Sequence, residues 1–114
     1  MRRQDWRLAA IEAGLAGELL KRLALDPERF AGGEVLATVP APEELALLTD
    51  EYRRQHGAQV GLGASLLPGA EQQDIQIVLI TPLKTQSFAR PYGGPPGYAP
   101  RYAVNHSLDL LRHI

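Results

Sequence analysis

The sequence predicts an α/β fold of three layers, a sheet of about four strands covered by helices. Three observations carry this expectation. Residues 75–81 are the most strand-like stretch, with an unbroken Ile77-Val78-Leu79-Ile80 core of the kind found where a strand is buried on both faces. Two stretches, around residues 8–24 and 42–56, repeat apolar residues at intervals of three and four, as helices do. Proline and glycine punctuate the boundaries, so helices and strands alternate, and a helix-covered sheet buries all their apolar faces.

In chain order, Asp5 reads as the N-cap of a first helix. Leu8, Ile11, Leu15, Leu19 and Leu23 form its stripe, Lys21 and Arg22 suit the dipole at its end near Ala24, and Asp26-Pro27 closes it. Ala31-Gly32-Gly33 reads as a turn, and Glu34 to Val39 as a strand that Pro40 ends. A second helix opens at Pro42 with Glu43 and Glu44 in its first turn, buries Leu45, Leu48 and Tyr52, and stops at His56 with Gly57 as its C′ residue. Val60 to Leu67 is a strand loosened by Gly61 and Gly63, and Pro68-Gly69 turns the chain into the 75–81 strand. Thr85 to Arg90 pairs with that strand as a hairpin across Pro82-Leu83-Lys84. After a proline- and glycine-rich loop at 91–100, a last helix starts near Pro100 and turns Val104, Ser107, Leu108 and Leu111 inward. With no internal repeat and no linker, residues 1–114 are expected to form a single domain.

Composition narrows the function classes. A net charge of −1 gives no footprint for nucleic acid or an anionic membrane. The absence of cysteine removes disulfides, thiolate catalysis and cysteine-ligated metals. Met1-Arg2-Arg3 is not followed by an apolar run, and no segment approaches the roughly 20 apolar residues of a membrane helix, so a cytoplasmic protein is expected. His106, Asp109 and His113 have the spacing of half a helical metal site, but they fall opposite the apolar stripe, so a solvated face and no metal are expected. Gly14 and Gly17 follow a predicted helix rather than a strand, which denies them the context of a phosphate loop. Residues 90–98, Arg-Pro-Tyr-Gly-Gly-Pro-Pro-Gly-Tyr, fit either a stiffened surface connection or a binding loop that presents Tyr92 and Tyr98.

The end of the chain carries a resemblance. Ile75-Gln76-Ile77-Val78-Leu79-Ile80-Thr81-Pro82 is followed by a short hairpin, an aromatic-Gly-Gly at Tyr92-Gly93-Gly94, and a helix from Arg101 through Ser107-Leu108-Asp109-Leu110-Leu111-Arg112. In this order the segment resembles the end of the CinA C-terminal domain, the nicotinamide-nucleotide amidase family, where a core strand, a hairpin and an Ala-Leu-x-x-Leu helix close the fold. That family opens with Glu-Ser-Cys-Thr-Gly-Gly, whose serine is its nucleophile. Glu12-Ala13-Gly14-Leu15-Ala16-Gly17 matches that place, keeping the glutamate and the last glycine but with Ala13 at the serine. The family's assisting tyrosine and lysine, in Gly-Gly, two apolar residues and Tyr-Ser-Asn-x-x-Lys, fall on about Ala37 and Pro42. Its Thr-Gly-x-x-Gly-Pro loop is eroded to Ser65-Leu66-Leu67-Pro68-Gly69-Ala70, and an insertion before the 45–56 helix is missing.

The resemblance, which covers roughly residues 8 to 113, therefore implies a shortened and degenerate CinA C-terminal-like domain that acts by binding. It implies a pyridine nucleotide or a protein as partner, self-association as a homodimer, no cofactor, and ligand contacts at Tyr92, Gly93, Gly94 and Arg101. The alternative is an amidase acting on nicotinamide mononucleotide or a related amide through displaced residues. A serine needs a base within hydrogen-bond reach. The serines are Ser65, Ser87 and Ser107 and the lysines Lys21 and Lys84; Ser107 is expected to bond back to its own helix, which leaves Ser65 with Lys84 as the pair to consider.

Overall fold

The computed structural model describes residues 6–67 and 73–114. Its strands, β1 (Leu8–Ala13), β2 (Phe30–Val35), β3 (Val60–Leu67), β4 (Gln73–Ile80) and β5 (Thr85–Tyr92), form one sheet in the order β2-β1-β3-β4-β5. β1 lies parallel to β2 and β3, whereas the β3-β4 and β4-β5 pairs are antiparallel. The helices α1 (Glu18–Leu23) and α3 (Ala99–Arg112) pack on one face, against Leu8, Ala10, Leu62, Ile77 and Leu79. The opposite face, with Ile11, Val78 and Ile80, takes α2 (Pro42–Gln55) through Leu45. The three expected layers are present, around five strands rather than about four.

The largest correction concerns residues 8–24. They form not one helix but a strand, a turn and a short helix. The stripe of Leu8, Ile11, Leu15, Leu19 and Leu23 is compatible with a helix, but Ala9, Ala10 and Ala13 between them are also buried, so β1 is apolar on both faces. Gly14, Ala16 and Gly17 then take φ of 77°, 55° and 80°, values that no right-handed helix contains. The second correction moves the predicted 34–39 strand back to Phe30–Val35. Gly32 and Gly33 lie inside that strand because the His56 ring and the Leu20 side chain occupy the space a Cβ would need, each within 2.7 Å of it.

Likewise, Gly61 and Gly63 do not loosen β3. They admit α2: a Cβ on Gly63 would overlap the Thr49 hydroxyl, and one on Gly61 would come within 3.2 Å of Arg53 Cβ. The inner face of α2 is accordingly Leu45 and Thr49, both buried, while Leu48 is 37% exposed.

Several local expectations hold. Pro42 is the first residue of α2, Gly57 follows its end at φ 61°, and His56 Nδ1 lies 3.0 Å from the Tyr52 carbonyl oxygen. In α3, Ser107 is buried and its hydroxyl donates to the Ala103 carbonyl at 2.8 Å. The β4-β5 turn is closed by Thr81 Oγ1, which accepts from the backbone N–H groups of Leu83 and Lys84 at 3.2 Å each. Asp5 and the Pro68-Gly69 turn lie outside the described residues. No helix among the described residues is long and apolar enough to cross a membrane.

Candidate functional site

The order of the parallel strands locates a site. The β1–β2 crossover passes through α1 on one face, and the β2–β3 crossover passes over β1 through α2 on the other. The winding therefore reverses at β1, and a crevice opens beyond the carboxyl ends of such strands. A cleft of about 390 Å³ lies there, lined by Gly14, Leu36, Ala37, Thr38, Val39, Leu66, Gln73 and Pro100.

One buried carboxylate shapes the cleft's inner wall. Glu12 is fully buried in β1, where its Oε1 accepts from the Gly17 N–H at 2.6 Å and its Oε2 from the Leu20 N–H at 2.9 Å. These bonds tie the 14–17 turn and the first turn of α1 to the end of the strand. Gly14 leaves the strand at a positive φ, and a Cβ there would run into the Leu66 carbonyl oxygen, so glycine alone fits. The Leu36 N–H donates to the Glu12 carbonyl at 2.7 Å, after which residues 37–39 leave the sheet and form the outer wall. Gln73 opens β4 opposite Tyr92, and its Oε1 is buried with no hydrogen-bond partner among the described residues.

Among the described residues the lining holds one hydroxyl, Thr38, and one carboxamide, Gln73, and no titratable side chain. Of the three positions that the sequence resemblance set against the family's serine, tyrosine and lysine, one lines this cleft. Ala13 directly precedes Gly14, Ala37 is part of the wall, and Pro42 begins the helix that follows that wall. Ser65 lies beside Ala13 on the neighbouring strand and is buried. Lys84, however, is at the other end of the sheet. Ser65 is paired with Gln76, and Lys84 lies beyond Ile80, four residues further along β4, or about 13 Å at 3.3 Å per residue. The Ser65–Lys84 pair considered from the sequence does not meet.

The remaining sequence candidates divide between two places. Tyr92 turns back on its own loop: its hydroxyl donates to the Pro95 carbonyl at 3.0 Å, where the missing side chain of Gly94 leaves it room, and Gly93 is exposed beside them. Its ring lies 5.2 Å from that of Tyr102. Arg101 sits on α3 over the Tyr98 ring at 5.5 Å and lines a groove with Glu18, Arg22, Gly97, Pro100, Val104 and Asn105. That groove shares Pro100 with the cleft. His106 departs from the predicted solvated face: it is half-buried, edge-on to Phe88 and stacked with Tyr102, while Asp109 and His113 are exposed.

Solved structures with the same architecture decide the fold. A competence-damaged protein (CinA) superfamily protein from Escherichia coli superposes with a TM-score of 0.81 over 96% of this chain and 81% of that one, at 14% identity. A competence or damage-inducible protein from Enterobacter asburiae gives 0.79 over 93% and 85%, at 16% identity. A CinA superfamily protein from Enterobacter cloacae gives 0.75 over 93% and 80%, at 17% identity. The chain has a CinA-like fold. No family model and no curated protein matches its sequence. Identities of this size speak for the fold, and the chemistry of this CinA-like domain rests on its own residues. Thr38 and Gln73 were not among the sequence candidates; a glutamine at the head of the strand that carries the Ile-Val-Leu-Ile run was the available signal for the second.

Proposed function

We propose that this chain is a non-catalytic CinA-like domain that acts by binding, with the cleft at the carboxyl ends of β1 and β3 receiving the carboxamide end of a pyridine-nucleotide-type ligand. The observation that carries this is the lining itself: among the described residues, a neutral, mostly apolar wall with one buried carboxamide oxygen, at Gln73, that has no partner. A buried acceptor without a partner is costly, and a ligand N–H would relieve it once the Gln73 side chain turned its oxygen into the cleft. Acyl transfer at this place would need a nucleophile with a base beside it. Ala13, Ala37 and Pro42 provide neither, and Ser65 stands far from Lys84.

The adjoining groove supports an anionic tail on the ligand. Arg101 and Arg22 lie just across Pro100 from the neutral cleft, so a molecule with an amide head and a phosphate tail would meet a carboxamide first and guanidiniums second. Self-association as a homodimer belongs to the same proposal, because β2 and β5 each keep one unpaired edge.

Calorimetric titration with nicotinamide mononucleotide, run beside an ammonia-release assay, tests the proposal. Saturable binding without ammonia is expected, weakened up to about tenfold by Q73A. Release of ammonia would sink the non-catalytic assignment, and its loss in S65A would establish the amidase alternative.

A further inference from the structure

At the opposite end of the sheet lies a second cleft, of about 360 Å³, whose apolar floor the proposed function does not use, although Arg22 borders both this cleft and the groove beside Pro100. It opens beside Leu8, the first residue of β1, between the segment that follows α1 and the last turns of α3. Its floor is apolar: Leu8, Leu23 and Leu111 are buried, and Phe30 and Leu108 half-buried. Its rim is cationic. Among the described residues, Arg22, Arg29 and Arg112 line it with a single carboxylate, Asp26, which lies 4.0 Å from Arg29. Arg22 and Arg112 have no ion pair among the described residues.

Arginines in the last turn of a helix complement its dipole, and Arg22 and Arg112 both sit in such turns. The dipole does not account for the apolar floor beneath them, nor for Leu25 at the lip, 79% exposed. An apolar cavity of a few hundred Å³ with a few placed polar groups is the ordinary form of a small-molecule site. The planar fork of a guanidinium takes a carboxylate through two parallel hydrogen bonds. On a chain whose net charge is −1, this rim is a local reversal of sign.

We propose that this basal cleft binds a small amphipathic carboxylate, with its apolar body on Leu8, Leu23 and Leu111 and its carboxylate held by Arg22 and Arg112. Titration calorimetry of the whole chain with decanoate tests it, beside decanol, which keeps the body without the charge, and acetate, which keeps the charge without the body. Saturable decanoate binding is expected, with neither control binding detectably and with affinity falling at high salt. R112Q is expected to weaken decanoate about tenfold or more while leaving nicotinamide mononucleotide binding unchanged, which separates this site from the cleft at the other end. The R22Q/R112Q double variant, confirmed folded by circular dichroism, is expected to abolish decanoate binding. Decanol binding as tightly as decanoate, unchanged decanoate affinity in the double variant, or no saturable decanoate binding would each overturn the proposal. Decyl phosphate binding at least about tenfold tighter than decanoate would overturn the assignment of the ligand as a carboxylate.

Discussion

Replacing Glu12 with glutamine tests whether one buried carboxylate holds the wall of the upper cleft. Its two oxygens accept from the Gly17 and Leu20 N–H groups at 2.6 and 2.9 Å, with no solvent contact. Hydrogen bonds to a charged acceptor contribute about 1.5 to 3 kcal/mol each. Glutamine keeps the shape but offers one oxygen, so one backbone N–H would face an NH2 group, donor against donor. The remaining bond also weakens on loss of charge. Against this stands the removal of a buried charge, whose desolvation opposes folding. The balance predicts a loss of about 2 kcal/mol in E12Q. In E12A both N–H groups lose their acceptor and a cavity opens, which raises the loss to about 4 kcal/mol.

Domains of this size have about 5 to 15 kcal/mol in total, so E12A lies near the limit of folding and E12Q is the variant to measure. Urea unfolding should show the E12Q loss as a lower midpoint with an unchanged slope, and thermal unfolding as a fall of about 8 °C. Hydrogen exchange should lose protection at the Gly17 and Leu20 amides ahead of the β3 and β4 amides. E12Q within about 0.5 kcal/mol of the parent, with both amides still protected, would refute the carboxylate as the pin.

Other expectations follow from the same contacts. G63A should cost about 1 to 3 kcal/mol, because the new Cβ would overlap the Thr49 hydroxyl, and adding T49A should recover part of it; an additive double variant in urea unfolding would contradict this. The Asp50 carboxyl is held below its usual value of 3.8, mainly by its hydrogen bond from Arg53 and further by the charges of Arg53 and Arg54. Its contribution is therefore present above pH 3.8 and lost as pH falls through the lower folded value, so D50N should cost up to about 1 kcal/mol at neutral pH and flatten that acid limb of stability. A16G should stabilise by about 0.5 to 1 kcal/mol, since Ala16 holds φ 55° against its Cβ; a loss in thermal unfolding would show that unfolded-state entropy outweighs the strain.

The layers were legible because they rest on composition: a sheet buried on both faces needs the unbroken apolar run of 77–80, and α2 and α3 need their periodic stripes. The first element was not, and the reason is physical. Leu8, Ile11 and Leu15 match a helical period, but a central strand with both faces buried has no period of its own, and alanines at 9, 10 and 13 serve either structure. The signal that would have separated them was the Gly-Leu-Ala-Gly turn, whose positive φ values end the strand. Gly32 and Gly33 misled for a related reason, since glycine serves close packing as well as turns, and only the partners, His56 and Leu20, tell the two apart. The site was half legible. Ala37 lines the cleft and Ala13 adjoins it through Gly14, but Gln73 enters it through strand pairing that no local pattern announces.

What remains at the upper cleft is its shape. Glu12 and Gly17 still fix the turn, and Ala16 holds a left-handed backbone although it is not glycine, so the wall is kept at some cost in strain. Among the described residues that line the cleft, none carries a nucleophile backed by a base. A turn that only linked β1 to α1 would gain from glycine at 16 and would not require a buried carboxylate. Backbone held in this way is what a site that must keep its shape requires. The two clefts then differ in kind. The upper one has a neutral lining among the described residues and adjoins arginines only across Pro100, whereas the lower one presents cations directly over leucine. Free nicotinamide should accordingly discriminate between them: it carries the amide without the phosphate, so its binding should depend on Gln73 and be indifferent to Arg101 and Arg112. Sensitivity of nicotinamide itself to R101Q would place the amide in the groove and reverse the assignment of the two ends of the ligand.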